Sequence, residues 1–252
     1  MTSSFLQFIL SINQTEVFLV GFSSANRYQT PGFLSEANDG EILPDETKLR
    51  RRRESPARGK TSLLFQFALN IASASQTNHV VFICHRKRIE SNPPFLSQGI
   101  DPSSSDAFNR IQMKYVDDDE GLRNYFAAFH LHLDLPPAAL VIDDFGDYFT
   151  NSKGSSLMNS RARDMAMVRT LALCHNAIAH ANKKAACELV LSETSSGDSP
   201  RSLFIYKRWI PSIFTIKGHG DGSFLLTSNG SSQKSAKYSI ALQYLILEEI
   251  VN

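Results

Sequence analysis

Gly59-Lys-Thr-Ser-Leu-Leu-Phe-Gln-Phe-Ala-Leu-Asn-Ile-Ala72 is the stretch on which the reading of the fold turns. Leu63, Leu64, Phe67, Ala68 and Ile71 recur at helical spacing and predict a helix of about four turns behind the Gly-Lys-Thr triplet. Such a triplet at a helix start is the second half of a phosphate loop, Gly-x-x-x-x-Gly-Lys-Ser/Thr. In that motif the glycines let backbone N–H groups turn onto the phosphates. The lysine reaches the terminal phosphates, and the hydroxyl holds magnesium.

The first half is out of register, because residue 54, where the leading glycine belongs, is Glu54. Upstream, Val17-Phe-Leu-Val-Gly21 is a short apolar run ending in glycine, the signature of a buried strand. Between Phe22 and Glu54 the chain is polar and carries Pro31, Pro44 and the basic block Lys48-Leu-Arg-Arg-Arg-Arg53. It shows no periodicity, which is the composition of disordered chain. Joining Gly21 to Ser55-Pro56-Ala57-Arg58-Gly59-Lys60-Thr61 restores a complete motif directly after a strand, with Ser62 next in line. Residues 22–54 are therefore expected to be an insertion, of the kind a retained intron leaves. The competing reading is that Gly-Lys-Thr is a chance tripeptide in a basic loop; the restored motif, the strand before it and the helix after it favour the phosphate loop.

Further strands are expected at Val80–Cys84, Arg110–Val116, Ala138–Asp143 and Leu189–Ser192, with helices over about 117–132 and 162–183. Strands alternating with helices define an α/β fold with a mainly parallel central sheet flanked by helices. The tail, including Ile213–Ile216, Phe224–Leu226 and Tyr238–Ile246, reads as a β-rich extension, with a helix as the alternative for its last segment. Residues 86–109 read as a long loop with one short helix. The expected organisation is one domain over residues 1–252, interrupted at 22–54.

Leu140-Val-Ile-Asp143 is a buried strand ending in a carboxylate, which a phosphate-loop enzyme needs near its magnesium. The competing role for Asp143 is capping a helix. Asp144 stands where many such enzymes keep a glutamate that activates water, and it is one methylene shorter. The second strand runs into Cys84-His85-Arg86 and supplies no acid, so turnover is expected to be slow. Ser192 is a candidate sensor of the terminal phosphate.

Lys and Arg total 26 against 25 Asp and Glu, so no global field points to nucleic acid or membrane. No apolar run approaches the roughly 20 residues that span a bilayer, and no membrane partner is expected. Cys84, Cys174 and Cys187 lack metal-ligand spacing and read as buried thiols of a reducing compartment.

The joined Gly-Ser-Pro-Ala-Arg-Gly-Lys-Thr-Ser-Leu-Leu-Phe, the Arg110-Ile-Gln-Met-Lys-Tyr115 strand and Leu140-Val-Ile-Asp-Asp-Phe-Gly-Asp-Tyr-Phe149 together resemble the SWIM-domain-associated RecA paralogues, ATPase-like subunits of Shu-type recombination complexes. The resemblance covers roughly residues 16–21 and 55–217. It implies a RecA-like core that binds ATP with Mg2+, hydrolyses it on stimulation by DNA, and binds single-stranded DNA. It also implies a SWIM-domain zinc-binding partner, contact with a strand-exchange recombinase, and a nuclear location. The insertion at 22–54 departs from the family pattern and bears directly on nucleotide affinity.

Single-stranded DNA requires cations along its phosphates and aromatic rings under its bases. Arg86, Lys87 and Arg88, Lys183 and Lys184, and Arg201, Lys207 and Arg208 with Tyr206 and Trp209 are the candidates, each with a solvated surface as the plain alternative. The loop 193–201 occupies the position where RecA-type proteins hold DNA. Two rival functions stand beside the ATPase: a non-catalytic RecA-fold adaptor with a broken loop, and a small-molecule kinase, for which no lid of catalytic arginines is evident.

Overall fold

The computed structural model describes residues 16–22, 56–101, 105–131, 135–150, 160–195, 203–219, 222–228 and 234–251, with backbone alone for 16–22, 56–58 and 195. Strand β1 (Glu16–Phe22) is followed by helix α1 (Pro56–Ala74), β2 (Val80–Cys84), α2 (Arg86–Ser91), β3 (Leu96–Ser97), β4 (Ile111–Tyr115), α3 (Asp119–Ala127), β5 (Ala139–Ile142) and α4 (Ser160–Ala181). Then come β6 (Glu188–Ser195), α5 (Leu203–Trp209), β7 (Ser212–Gly218), β8 (Ser223–Ser228), β9 (Ser235–Ala241) and β10 (Tyr244–Val251).

All ten strands join one sheet in the order β3-β10-β9-β8-β7-β1-β6-β5-β2-β4. From β7 to β4 the six strands run parallel, and β8, β9 and β10 extend the sheet antiparallel beyond β7. The expected parallel core with a β-rich extension is what the chain builds. The helical alternative for the last segment fails, because β9 and β10 pair along almost their whole length.

Helices cover both faces of the parallel part. Val80, Phe82 and Cys84 of β2 pack beneath Leu64, Phe67 and Ile71 of α1. Val81 and Ile83 join Leu122 and Phe126 of α3 and Met167, Leu171 and Cys174 of α4 on the other face. A strand buried on both faces has no polar alternation, which is why β2, β5 and the start of β6 read as unbroken apolar runs. All three cysteines are buried free thiols, and burial pushes Cys84 and Cys187 up to about 12.

Capping explains several boundaries. Asp118 accepts from the Gly121 N–H at 2.9 Å and starts α3, satisfying a donor that the first helical turn leaves unpaired. At the other end of α1 the Arg110 guanidinium donates twice to the Ala72 carbonyl, at 2.9 and 3.3 Å. No helix among the described residues is long and apolar enough to cross a membrane.

The structure departs from the sequence-based expectations in five places, the first being that Phe22, expected to open the insertion, is the last residue of β1 and pairs with β6 and β7. Helix α1 begins at Pro56, not behind Gly-Lys-Thr, so Pro56, Ala57 and Arg58 form its first turn; proline suits that position, since its φ is already helical and its missing N–H is not needed. β6 continues past Ser192 to Ser195 because every residue from Leu189 onward pairs with β1. α5 is a helix where strands and turns were expected. The 86–109 stretch holds α2, the two-residue β3 and a 3-10 turn at Phe108–Arg110.

Candidate functional site

In a parallel sheet all strands end at one edge, and ligands bind in the crevice beyond those carboxyl ends. Here that edge collects the end of β1, the end of β5 with Asp143 and Asp144, and the end of β6. α1 returns to the same edge at its N-terminus, and the first turn of a helix presents unpaired N–H groups and a partial positive charge.

Lys60 and Thr61, in the second turn of α1, meet the β5 acids there. Thr61 Oγ1 donates to Asp143 Oδ2 at 2.8 Å, and Lys60 Nζ lies 3.5 Å from Asp143 Oδ1. The same ammonium bonds Asp144 Oδ1 directly and donates to Thr194 Oγ1 at 2.8 Å. Lys60, Asp143 and Asp144 are essentially inaccessible to solvent. A buried ammonium is tolerated only with such paired carboxylates and extra hydrogen bonds.

β6 builds the second wall by simple alternation. Ser192 donates to Asp143 Oδ1 at 2.8 Å and accepts from the Asp144 N–H at 2.9 Å. Thr194, on the same face, donates to Asp144 Oδ1 at 2.7 Å. Asp144 itself has φ 52 and ψ 57, the left-handed region that aspartate tolerates better than most residues. That conformation turns the chain after Asp143 so that two consecutive carboxylates reach one ammonium. The chain then enters a 3-10 turn, Phe145–Phe149, whose rings bury into the core, which accounts for the acid-acid-aromatic pattern.

Arg88 completes the constellation. Its Nη1 stands 2.8 Å from Asp144 Oδ2 and 2.5 Å from Asp147 Oδ2. The contact to Asp144 is off the axis of a hydrogen bond, and among the described residues this buried Oδ2 receives no hydrogen-bond donor. Burial alone would raise the Asp144 carboxyl, but the Lys60 and Arg88 charges and the hydrogen bonds from Lys60 and Thr194 hold it below its ordinary 3.8.

Glu193 points to the opposite face of β6. It accepts a hydrogen bond from the Tyr206 hydroxyl and lies against Gly146, where any Cβ would strike its carboxylate. Burial keeps its pKa above 4.5 in spite of the Tyr206 bond and the Arg163 and Lys60 charges. Gly59 is a second glycine fixed by close approach: a Cβ there would lie 2.8 Å from the Phe224 ring, which in turn stacks on Tyr238.

Gly21 is the last residue but one of β1 at this edge, paired with Thr194 and Ile216, and Phe22 after it pairs with Ser195 and Lys217. Ser62 is buried and accepts from the Phe95 N–H at 2.9 Å. Ser55, the rest of the expected insertion (residues 23–54) with its basic block, residues 196–200 and Arg201 lie outside the described residues. Of the basic clusters, Arg86 and Lys87 are exposed on the site's edge, Arg86 lying 4.4 Å over the Tyr115 ring, whereas Arg88 turns inward. Lys183 and Lys184 precede β6 and so sit at the opposite edge, and Lys207 and Arg208 are exposed in the last turn of α5. Tyr206 does not serve as a stacking platform, because it is buried on Glu193; Trp209 packs against the core and His175.

Sequence reasoning missed Thr194, Glu193 and the inward role of Arg88. Alternation carried past Ser192 would have found the first two. Arg88 sat in an Arg-Lys-Arg run that looks like solvated surface.

The order of the parallel strands, the helix returning to their carboxyl ends and the strand-terminal acids define a RecA-like α/β fold. A KaiC-like protein from the hyperthermophilic archaeon Pyrococcus horikoshii is similar in structure over 93% of this chain and 89% of its own, with a TM-score of 0.53 and 14% sequence identity. No family model matches the sequence, and no curated protein matches it.

Proposed function

We propose that this chain is an ATP-binding RecA-type subunit that acts in homologous-recombination repair. In this reading it binds single-stranded DNA, supports recombinase loading, and hydrolyses ATP slowly. The observation that carries the nucleotide part is the convergence of Lys60, Thr61, Asp143 and Asp144 at the carboxyl edge of a parallel sheet. The donor set fits: a hydroxyl and a carboxylate already 2.8 Å apart, an ammonium beside them, and a buried Asp144 oxygen that among the described residues has the Arg88 charge nearby but no hydrogen-bond donor. Lys60 would contact the terminal phosphates, and Thr61 and Asp143 would hold Mg2+. The metal's chemistry is to offset phosphate charge. Asp144 is the base nearest the site, and its depressed pKa makes it a reluctant one, which agrees with slow turnover.

The recombination role, the SWIM-domain partner, the strand-exchange recombinase and the nuclear setting rest on the resemblance of the motifs. Exposed Arg86 and Lys87 beside the site support a DNA phosphate contact there. Lys60→Ala should abolish Mg-ATP binding in a filter or thermal-shift assay, and Thr61→Ala should remove its magnesium dependence. Unchanged affinity in both variants would show the assignment to be wrong.

A second reading, a non-catalytic adaptor, is favoured by the acid-free end of β2, where Cys84 is followed by His85 and Arg86. The adaptor binds its partners equally well with Lys60 replaced; the ATPase subunit does not.

A further inference from the structure

Arg88 is the one cation of the Arg86–Arg88 run that leaves the surface. It is the third residue of α2, just after β2 ends without an acid, and it is 31% exposed beside a carboxylate that is 1% exposed. Lys60 and Arg88 hold opposite oxygens of the Asp144 carboxylate, so an anion sits between two cations. The Asp144 contact lacks hydrogen-bond geometry, whereas the Asp147 contact is a true hydrogen bond to a half-exposed partner. Beyond them lies an open cavity of about 520 Å3 lined by His85, Lys87, Arg88, Asn92 and Asp147, which gives the guanidinium room to swing.

Resting on the nucleotide reading, we propose that Arg88 is a terminal-phosphate contact supplied from within the chain. The Asp144 carboxylate, between Lys60 and Arg88, stands where that phosphate would be held. A nucleoside triphosphate brings its outermost phosphoryl group to Lys60, and the planar fork of Arg88 moves from Asp144 to two of its oxygens. A diphosphate ends short of Arg88 and leaves it parked on Asp147. Arg88 thus takes the end of β2 that other enzymes give to an acid, and it sets a preference for triphosphate over diphosphate.

The test is equilibrium titration of the full chain with fluorescent ADP and with a fluorescent non-hydrolysable ATP analogue, both with Mg2+. The wild type should prefer the triphosphate by about tenfold, the size of one charge-assisted contact. Arg88→Ala should bring that ratio close to one with ADP affinity unchanged. Arg88→Lys, which keeps the charge but not the fork, should fall between. A ratio that survives Arg88→Ala, or equal losses for both nucleotides, overturns the proposal and leaves the nucleotide reading standing. A wild-type chain that binds neither probe overturns both.

Discussion

Glu193 shows how one side chain can set a pH dependence without touching the ligand. Its pKa is raised by burial, so the folded state holds the proton more tightly than the unfolded chain does. The carboxyl's contribution to stability is therefore complete below 4.5 and is lost as pH rises through the raised folded value. Glu193→Gln keeps an acceptor for Tyr206 and removes the titration. Its Tm should exceed that of the wild type at pH 7.5 and converge with it by pH 4; a difference that does not vary with pH would contradict the burial argument. Asp144 has the opposite sign, since its lowered value stabilises the fold above 3.8 and that contribution fades as pH falls through the lowered value. At this scale the sequence was partly legible: Lys60, Thr61, Asp143 and Asp144 are named by motif and strand ending. Arg88 and Thr194 are not, because their roles come from chain segments that only the fold brings together.

At the level of elements, legibility followed burial and length. β2 and β5, and α1 and α4, announce themselves through apolar runs or periodicity over several turns. α5 has seven residues, too few for a 3.6-residue period to separate from strand, and β3 has two. The end of β6, Glu193 to Ser195, reads as loop because it is polar on both faces, Thr194 meeting Asp144 on one and Glu193 the Tyr206 hydroxyl on the other. The hairpin between β9 and β10 carries a local strain that sequence also hides. Leu242 and Gln243 both have positive φ, 52 and 67, a turn that two-residue hairpins normally fill with Asn-Gly. Replacing the pair by Asn-Gly should stabilise the domain by roughly 1–2 kcal/mol, measured as a shift of the urea midpoint at unchanged slope. No gain would mean that the extension unfolds separately from the sheet.

For the whole molecule, the decisive matter is where residues 22–54 attach. β1 lies between β6 and β7, and α1 begins the return at Pro56. Loop-closure entropy grows only logarithmically with length, so a chain lacking 22–54 should fold with nearly the same Tm. With Gly21 joined to Ser55 it should also bind Mg-ATP more tightly than the full chain, by isothermal titration. Loss of folding would show that the segment belongs to the architecture, and equal affinity would show that it leaves the anion cradle intact. Transcripts lacking these codons would point the same way as tighter binding.

An insertion hung from the rim of a sheet can hide at the periphery, but one hung from its middle cannot. The chain leaves β1 at Phe22 and enters α1 at Pro56, and both points lie at the carboxyl edge that carries Lys60 and the paired aspartates. A change in the length or charge of the residues between those two points should therefore alter nucleotide affinity before it alters stability.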